Sequence, residues 1–395
     1  MSVALPLSTS GRFIVDAHGR RIRLAGVNWY GASEDMGVPV GLDRTNRSTL
    51  AELIASLGFN CVRLPFSLWM TEQSKPVPDQ YLAANHDLYG KTPMEVYDAC
   101  VRALTGAGLI VIPNCHLLDF GWCCSASDEN GLWFNDRWPE SRFTQVWQGI
   151  AKRYASNPLV AAMDIKNEPR EATVGGQALN ATWGTGGQTD IAAMYTTVGN
   201  LIHEIKPDPL IICEGLDYAT NLTGVASHPV RLAQAAKVVY SMHDYSWFHA
   251  AGQSQAAYAE QMDKAGGYIL TEQIAPLWIG ELGDNTGSLA NFGLAPPSQP
   301  GSAQPAGWWT NLQAWLTQAD VDWCWWALNP THGTSITPPT GPVKYNWGDP
   351  EPYGLLTSNW TAAGSPALMK MLQSMTQPRT GPGIGGQGPA PAGAT

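Results

Sequence analysis

Eight short, nearly unbroken apolar runs recur along the chain: Leu24–Asn28, Cys61–Phe66, Leu109–His116, Val160–Glu168, Leu210–Gly215, Val238–Tyr245, Pro276–Gly283 and Val321–Asn329. They do not alternate with polar residues, which marks parallel strands covered on both faces. Amphipathic stretches lie between them. Ser48–Leu57 ends at Gly58, Pro93–Leu104 ends near Gly106, and Arg142–Tyr154 stops before Asn157-Pro158, the stop residues expected of helices. Strand–helix alternation demands a parallel sheet with right-handed crossovers, so the chain predicts the α/β class and a single (β/α)8 TIM barrel over residues 1–376. A doubly wound open sheet is the alternative. It calls for a glycine-rich phosphate loop after its first strand, and Gly26-Val-Asn-Trp-Tyr-Gly31 is not one.

The two ends read differently. Phe13–Asp16 and Arg21–Leu24 alternate around Ala17-His18-Gly19-Arg20, which predicts a small N-terminal β-hairpin lid. Residues 377–395 are Pro, Gly and Ala with almost no apolar bulk, and predict a disordered tail or linker that cannot repay the entropy of ordering.

Composition narrows the function. The 395 residues carry 33 acidic and 23 basic side chains, a net charge of −10, which excludes a nucleic-acid binder because phosphate recognition needs clustered positive charge. With 44% apolar and 14% charged residues the chain is globular, and no run approaches the ~18 apolar residues of a membrane span. Cys61, Cys115, Cys213 and Cys324 sit in apolar runs as small hydrophobes. The adjacent Cys123-Cys124 falls in a loop and is expected as free thiols, with a vicinal disulfide as the alternative.

In a barrel the chemistry gathers where strands end, and here those ends are polar: Arg63-Leu-Pro-Phe, Asn114-Cys-His116, Asn167-Glu168-Pro169, His243-Asp-Tyr245, Gly280-Glu281 and Trp325-Trp326-Ala-Leu-Asn329. Glu168 and Glu281 end the fourth and seventh runs and can face each other across the mouth. Cleaving a glycosidic bond needs one carboxylic acid to protonate the leaving oxygen and a second carboxylate to attack the anomeric carbon or to activate water. Flanked by neutral Asn167 and Pro169, Glu168 suits the acid. Approached by Arg63 and Tyr245, Glu281 suits the ionised nucleophile.

These six motifs, in this order and at these strand ends, resemble glycoside hydrolase family 5 over roughly Phe13 to Met375. The resemblance implies a retaining mechanism with Glu168 as acid/base and Glu281 as nucleophile. It further implies Arg63 and Tyr245 as partners of Glu281, Asn167 as donor to the sugar 2-hydroxyl, His116 and His243 lining the cleavage subsite, and Trp326 as its sugar platform. The stretch Gly121-Trp-Cys-Cys-Ser125 followed by Asp128-Glu-Asn-Gly131 is similar to a less characterised branch of that family. Endo-β-1,4-glucanase activity is the first expectation, with β-mannan or another β-glycan next.

Among the 17 tryptophans, Trp29, Trp69, Trp122, Trp133, Trp183, Trp247 and Trp347 fall in top-face loops, and Trp29, directly after the first strand, is the best further sugar contact. Trp308, Trp309 and Trp315 read as packing. Glu214 reads as a loop anchor, and Asp164 as an interior acid paired with a base such as Lys166. The histidines show no metal-binding spacing, so no metal or other cofactor is expected. The chain is expected to act as a secreted monomer on a β-glycan polysaccharide or oligosaccharide, without nucleic acid or membrane insertion. A non-catalytic carbohydrate-binding barrel is the rival from another class, and a metal-dependent barrel hydrolase a third possibility. Two opposed glutamates argue against the first, and the lack of ligands on the first strand argues against the second.

Overall fold

The structure, a computed structural model, describes residues 3–124, 128–294, 307–336 and 344–377. The expected tail beyond Gln377 lies outside the described residues. Eight parallel strands close a barrel in chain order: β1 (Ala25–Asn28), β2 (Cys61–Ser67), β3 (Ile110–Leu117), β4 (Ala162–Asp164), β5 (Leu210–Glu214), β6 (Val238–Asp244), β7 (Leu277–Leu282) and β8 (Asp322–Trp325). The ring closes where Trp325 of β8 pairs with Val27 of β1. All eight expected strands are present. Two stop four residues before the end of their apolar runs, β4 at Asp164 and β8 at Trp325, leaving Glu168 and Trp326 on the loops that follow.

The three expected helices form at Arg47–Ser56, Pro93–Gly106 and Glu140–Arg153. Their starts follow local chemistry. Asn46 caps the first by accepting from the Ser48 amide, and Thr92 with Glu95 makes a capping box on the second. Their buried faces join the outward-facing strand residues in one continuous apolar layer.

Side chains along a strand alternate, so every second residue enters the barrel. The lower interior is apolar: Cys61, Ile110, Ile112, Leu210, Ile212, Val239, Trp278 and Cys324. The N-terminal hairpin plugs this floor. Its strands are Ser8–Ser10 and Phe13–Val15, so the expected first strand pairs backwards with Ser8–Ser10, and only a single bridge joins Val15 to Arg21. Leu7, Ile14, Ile22 and Leu24 fill the opening, placing the lid at the end opposite the polar strand exits. Arg21 reaches Asp322 at 3.0 Å, and Arg23 pairs with Asp320.

Two further hairpins, Ala172–Val174 with Gln177–Leu179 and Thr331–Ile336 with Lys344–Pro350, rise from the top after β4 and β8. Among the described residues no helix is long and apolar enough to cross a membrane.

Candidate active site

The upper interior continues the same alternation with polar residues. Arg63 follows Cys61 on β2, Asn114 follows Ile112 on β3, Asp164 follows Ala162 on β4, and Glu214 follows Ile212 on β5. Arg63, fully buried, is the hub. Its Nε donates to Asp164 at 2.6 Å, Nη1 to Asn28 at 3.0 Å and Glu281 at 2.5 Å, and Nη2 to Asn167 at 2.7 Å and Glu214 at 2.9 Å. A guanidinium has five N–H donors, and five acceptors meet them. Burial works against its charge, yet Asp164, Glu281 and Glu214 outweigh that and hold its pKa well above the ordinary value.

Glu281 accepts from Arg63 through one oxygen and from the Tyr245 hydroxyl at 2.9 Å through the other. It enters the site at a register shift between β6 and β7 that sets it beside His243. Gly280 makes this shift possible, since a Cβ there would lie 2.8 Å from Ser241 Oγ and 3.2 Å from His243 Nε2. Burial lifts the Glu281 carboxyl above its ordinary range, while His243 and Arg63 pull it down. Arg63 and Tyr245 therefore do not hold its charge alone, and His243 is a second cation beside it. Burial opposes protonation of that imidazole, but Glu281 and Glu214 raise its pKa well above the usual 6.5.

Glu168 lies just beyond β4 with φ +42, in the left-handed region that non-glycine residues rarely occupy. Its backbone is held at both ends: the N–H donates to Glu214 Oε2 at 2.7 Å, and the carbonyl accepts from Arg170 at 2.8 Å. His243 Nδ1 sits 2.9 Å from Glu168 Oε1. Glu214, read from sequence as a loop anchor, is thus a buried junction of Arg63, the Glu168 amide and, at 3.5 Å, His243. Burial would lift its carboxyl, yet His243 and Arg63 prevail and carry it well below the ordinary range. Asp164 behaves oppositely, raised well above its usual value by burial and by Glu214 against the pull of Arg63. Its partners are Arg63 and Asn114, not Lys166, whose Nζ donates to the Asn167 carbonyl at 2.6 Å.

His116 Nδ1 lies 2.9 Å from Asn114 Oδ1. Burial and then Arg63 push its pKa well below 6.5, so the ring is neutral, donates through Nδ1 and keeps Nε2 as an acceptor. Trp326 stacks parallel to His116 and to Tyr30, at centroid distances of 5.5 and 5.0 Å.

Glu168, Glu281, His116, Asn167, Tyr245 and Trp326 line one cleft of about 680 Å³ at the C-terminal end of the barrel, whereas Arg63 and His243, expected at the subsite, are buried behind the two glutamates and do not line it. Trp122 and Trp247, 50% and 59% exposed, stand on its walls, joined by Cys123, Cys124, His332 and Tyr353. Trp29 does not reach it. It is 0% exposed and donates to the Val40 carbonyl at 2.8 Å, so its position after β1 is a packing position. Trp133 and Trp183 are also core residues, Trp69 packs partly buried against Phe120, and the Trp347 side chain lies outside the described residues. Trp309 and Trp315 pack as expected.

Cys123 and Cys124 are bonded to each other, which corrects the expectation of free thiols. Among the described residues two trios bring possible ligand atoms within 4.8 Å of one another: His116 with this cysteine pair, and Glu168, His243 and Glu281. In the first, the sulfurs are committed to their bond. The second is the carboxylate pair itself with its bridging imidazole.

The sequence profile Cellulase (glycosyl hydrolase family 5) matches residues 15–332. An endoglucanase of Paenibacillus polymyxa is 29% identical over 93% of this chain and 88% of its own length. A glycosyl hydrolase 5 family protein of Chamaecyparis obtusa is 30% identical over 95% of this chain and 67% of its own. In three dimensions, the hyperthermophilic endocellulase of Pyrococcus horikoshii superposes with a TM-score of 0.75 at 24% identity, covering 95% of this chain and all of that one. The chain belongs to glycosyl hydrolase family 5 and is an O-glycosyl hydrolase.

Proposed function

We propose that the protein is a retaining endo-β-1,4-glucanase working by double displacement. One observation carries the stereochemical part: an oxygen of Glu168 and an oxygen of Glu281 lie within 4.8 Å of each other. Retaining enzymes hold their carboxyl groups about 5–5.5 Å apart, whereas inverting ones leave about 6.5–9.5 Å for a water between them. Glu281, backed by Arg63 and Tyr245, attacks the anomeric carbon while Glu168 gives its proton to the departing oxygen. The glycosyl group is then bonded to Glu281. Water, deprotonated by Glu168, releases it with its original configuration.

The neighbours support this division: Glu281 accepts from the Arg63 guanidinium and the Tyr245 hydroxyl, while the Glu168 carboxyl lies beside His243 and Cys123. Asn167 is placed to donate to the sugar 2-hydroxyl, a bond that strengthens in the transition state, and Trp326 offers an apolar face to the ring. The Paenibacillus relative, an endoglucanase, supports β-1,4-glucan as the substrate. A polymer substrate too large to enter a cell supports secretion.

The test is proton NMR of the first reducing sugar released from soluble β-1,4-glucan, with mannan and xylan in parallel. β-Anomer appearing first from the glucan is expected. α-Anomer first would refute retention, and release from mannan alone would move the substrate.

A further inference from the structure

The loop after β3 carries the Cys123–Cys124 disulfide into the cleft, and no step of the reaction just described uses it. Its surroundings are specific. The Asn167 side-chain nitrogen donates toward Cys123 Sγ at 3.4 Å and Cys124 Sγ at 3.5 Å, while its oxygen accepts from Arg63 at 2.7 Å. The amide is therefore gripped at both ends, by a guanidinium beneath and by two sulfurs beside it. One N–H faces the sulfurs, and the other is left for a sugar hydroxyl. Cys123 Sγ also stands 4.0 Å from Glu168 Oε2, so the same pair borders the acid. Neighbouring Trp122 contacts Tyr30 at 5.5 Å and His332 at 5.4 Å, tying the loop to those after β1 and β8.

We infer that the Cys123–Cys124 disulfide is a positioning element for the reaction: it fixes the Asn167 amide beside the cleavage subsite, which makes turnover sensitive to thiol reductants. This rests on the glucanase reading above. Reduction by a dithiol transfers two electrons and two protons; the S–S bond breaks, two thiols form, and the dithiol leaves as its cyclic disulfide. Each sulfur then turns freely about its own Cα–Cβ bond. The paired acceptor beside Asn167 is lost.

The pair is chemically addressable. The other described cysteines, Cys61, Cys100, Cys115, Cys213 and Cys324, are free but buried, whereas Cys123 and Cys124 are half-buried on an open cleft. A water-soluble thiol reagent should find no reactive thiol in the native chain and two after mild reduction.

The experiment measures steady-state hydrolysis of β-1,4-glucan by the full chain before reduction, after dithiothreitol, and after reoxidation, for the wild type, for Asn167→Ala, and for the double variant Cys123→Ala/Cys124→Ala. Reduction should lower wild-type kcat about 10- to 100-fold, as misplacing a reactive group by about 1 Å does, with KM changed much less and activity regained on reoxidation. The alanine pair should match the reduced enzyme at an unchanged melting temperature. In Asn167→Ala the effect of reduction should shrink below twofold, because the two changes act through one amide. Unaltered wild-type kcat after reduction overturns the inference, as does an equal loss in Asn167→Ala or the presence of two reactive thiols before reduction. Inactivity of the oxidised enzyme on every glycan would sink the glucanase reading and this inference together. Activity that ignores reduction sinks this one alone.

Discussion

The lower and upper halves of the barrel interior are built from the same strands and the same alternating positions, yet they share almost no chemistry. On β5, Leu210 and Ile212 are followed by Glu214; on β3, Ile110 and Ile112 are followed by Asn114; on β2, Cys61 is followed by Arg63. Two residues along a strand, about 7 Å, separate close-packed hydrocarbon from a network of buried charges. Burying the apolar groups stabilises the fold outright. Burying the charges costs free energy and is tolerated only because each meets a partner of opposite sign. The floor thus holds the barrel closed, and the ceiling spends part of that stability on presenting two carboxylates to substrate.

This contrast can be broken at four points. Glu281→Gln should lower kcat on the order of 10⁴- to 10⁶-fold with little change in melting temperature, because it removes the attacking group and keeps the shape. Circular dichroism melts beside the kinetics check this, and normal rates would remove Glu281 from the mechanism. Arg63→Ala leaves Asp164, Glu214 and Glu281 without their common cation, and should cost about 3–5 kcal/mol in urea unfolding as well as most of the activity. Ile212→Ala, two residues below Glu214 on β5, should cost about 2–5 kcal/mol while leaving kcat/KM per folded molecule within about twofold. A large kinetic defect there would mean that the two halves are not separable.

The smallest effect concerns pH. The Glu214 pKa is lower in the folded than in the unfolded chain, so the unfolded state binds more protons in acid. Its contribution is present above the ordinary carboxylate range and is lost as pH falls below it. Glu214→Gln should therefore flatten the decline in melting temperature between about pH 5 and pH 3. An unchanged slope would show that the network gains nothing from this anion.

Much of the architecture was legible because parallel strands covered on both sides must be apolar at nearly every position, and such runs stand out. That Glu168 and Glu281 meet at one cleft was legible because each stands at the C-terminal end of a predicted strand. Glu214 closes one too, but its meaning lies in Arg63, His243 and the Glu168 amide, which come from other parts of the ring, and nothing within its own segment reports them. Asp164 was matched to Lys166 along the chain, whereas its actual cation, Arg63, lies two strands away. Trp29 misled because proximity to a strand exit says nothing about which side of the loop faces the core. The hairpin Thr331–Ile336 with Lys344–Pro350 left no trace in the pattern, since Thr-His-Gly-Thr-Ser-Ile lacks an apolar stripe.

The floor plug has a consequence for how the molecule is made. Arg21 and Arg23 dock onto Asp322 and Asp320, so the contacts that seal the bottom span about three hundred residues of chain. Loop closure of that length is entropically expensive and is repaid only when the last strand arrives. The cylinder therefore shuts late in folding, and any nascent chain halted before β8 carries an open, apolar-lined trough with its stopper unseated.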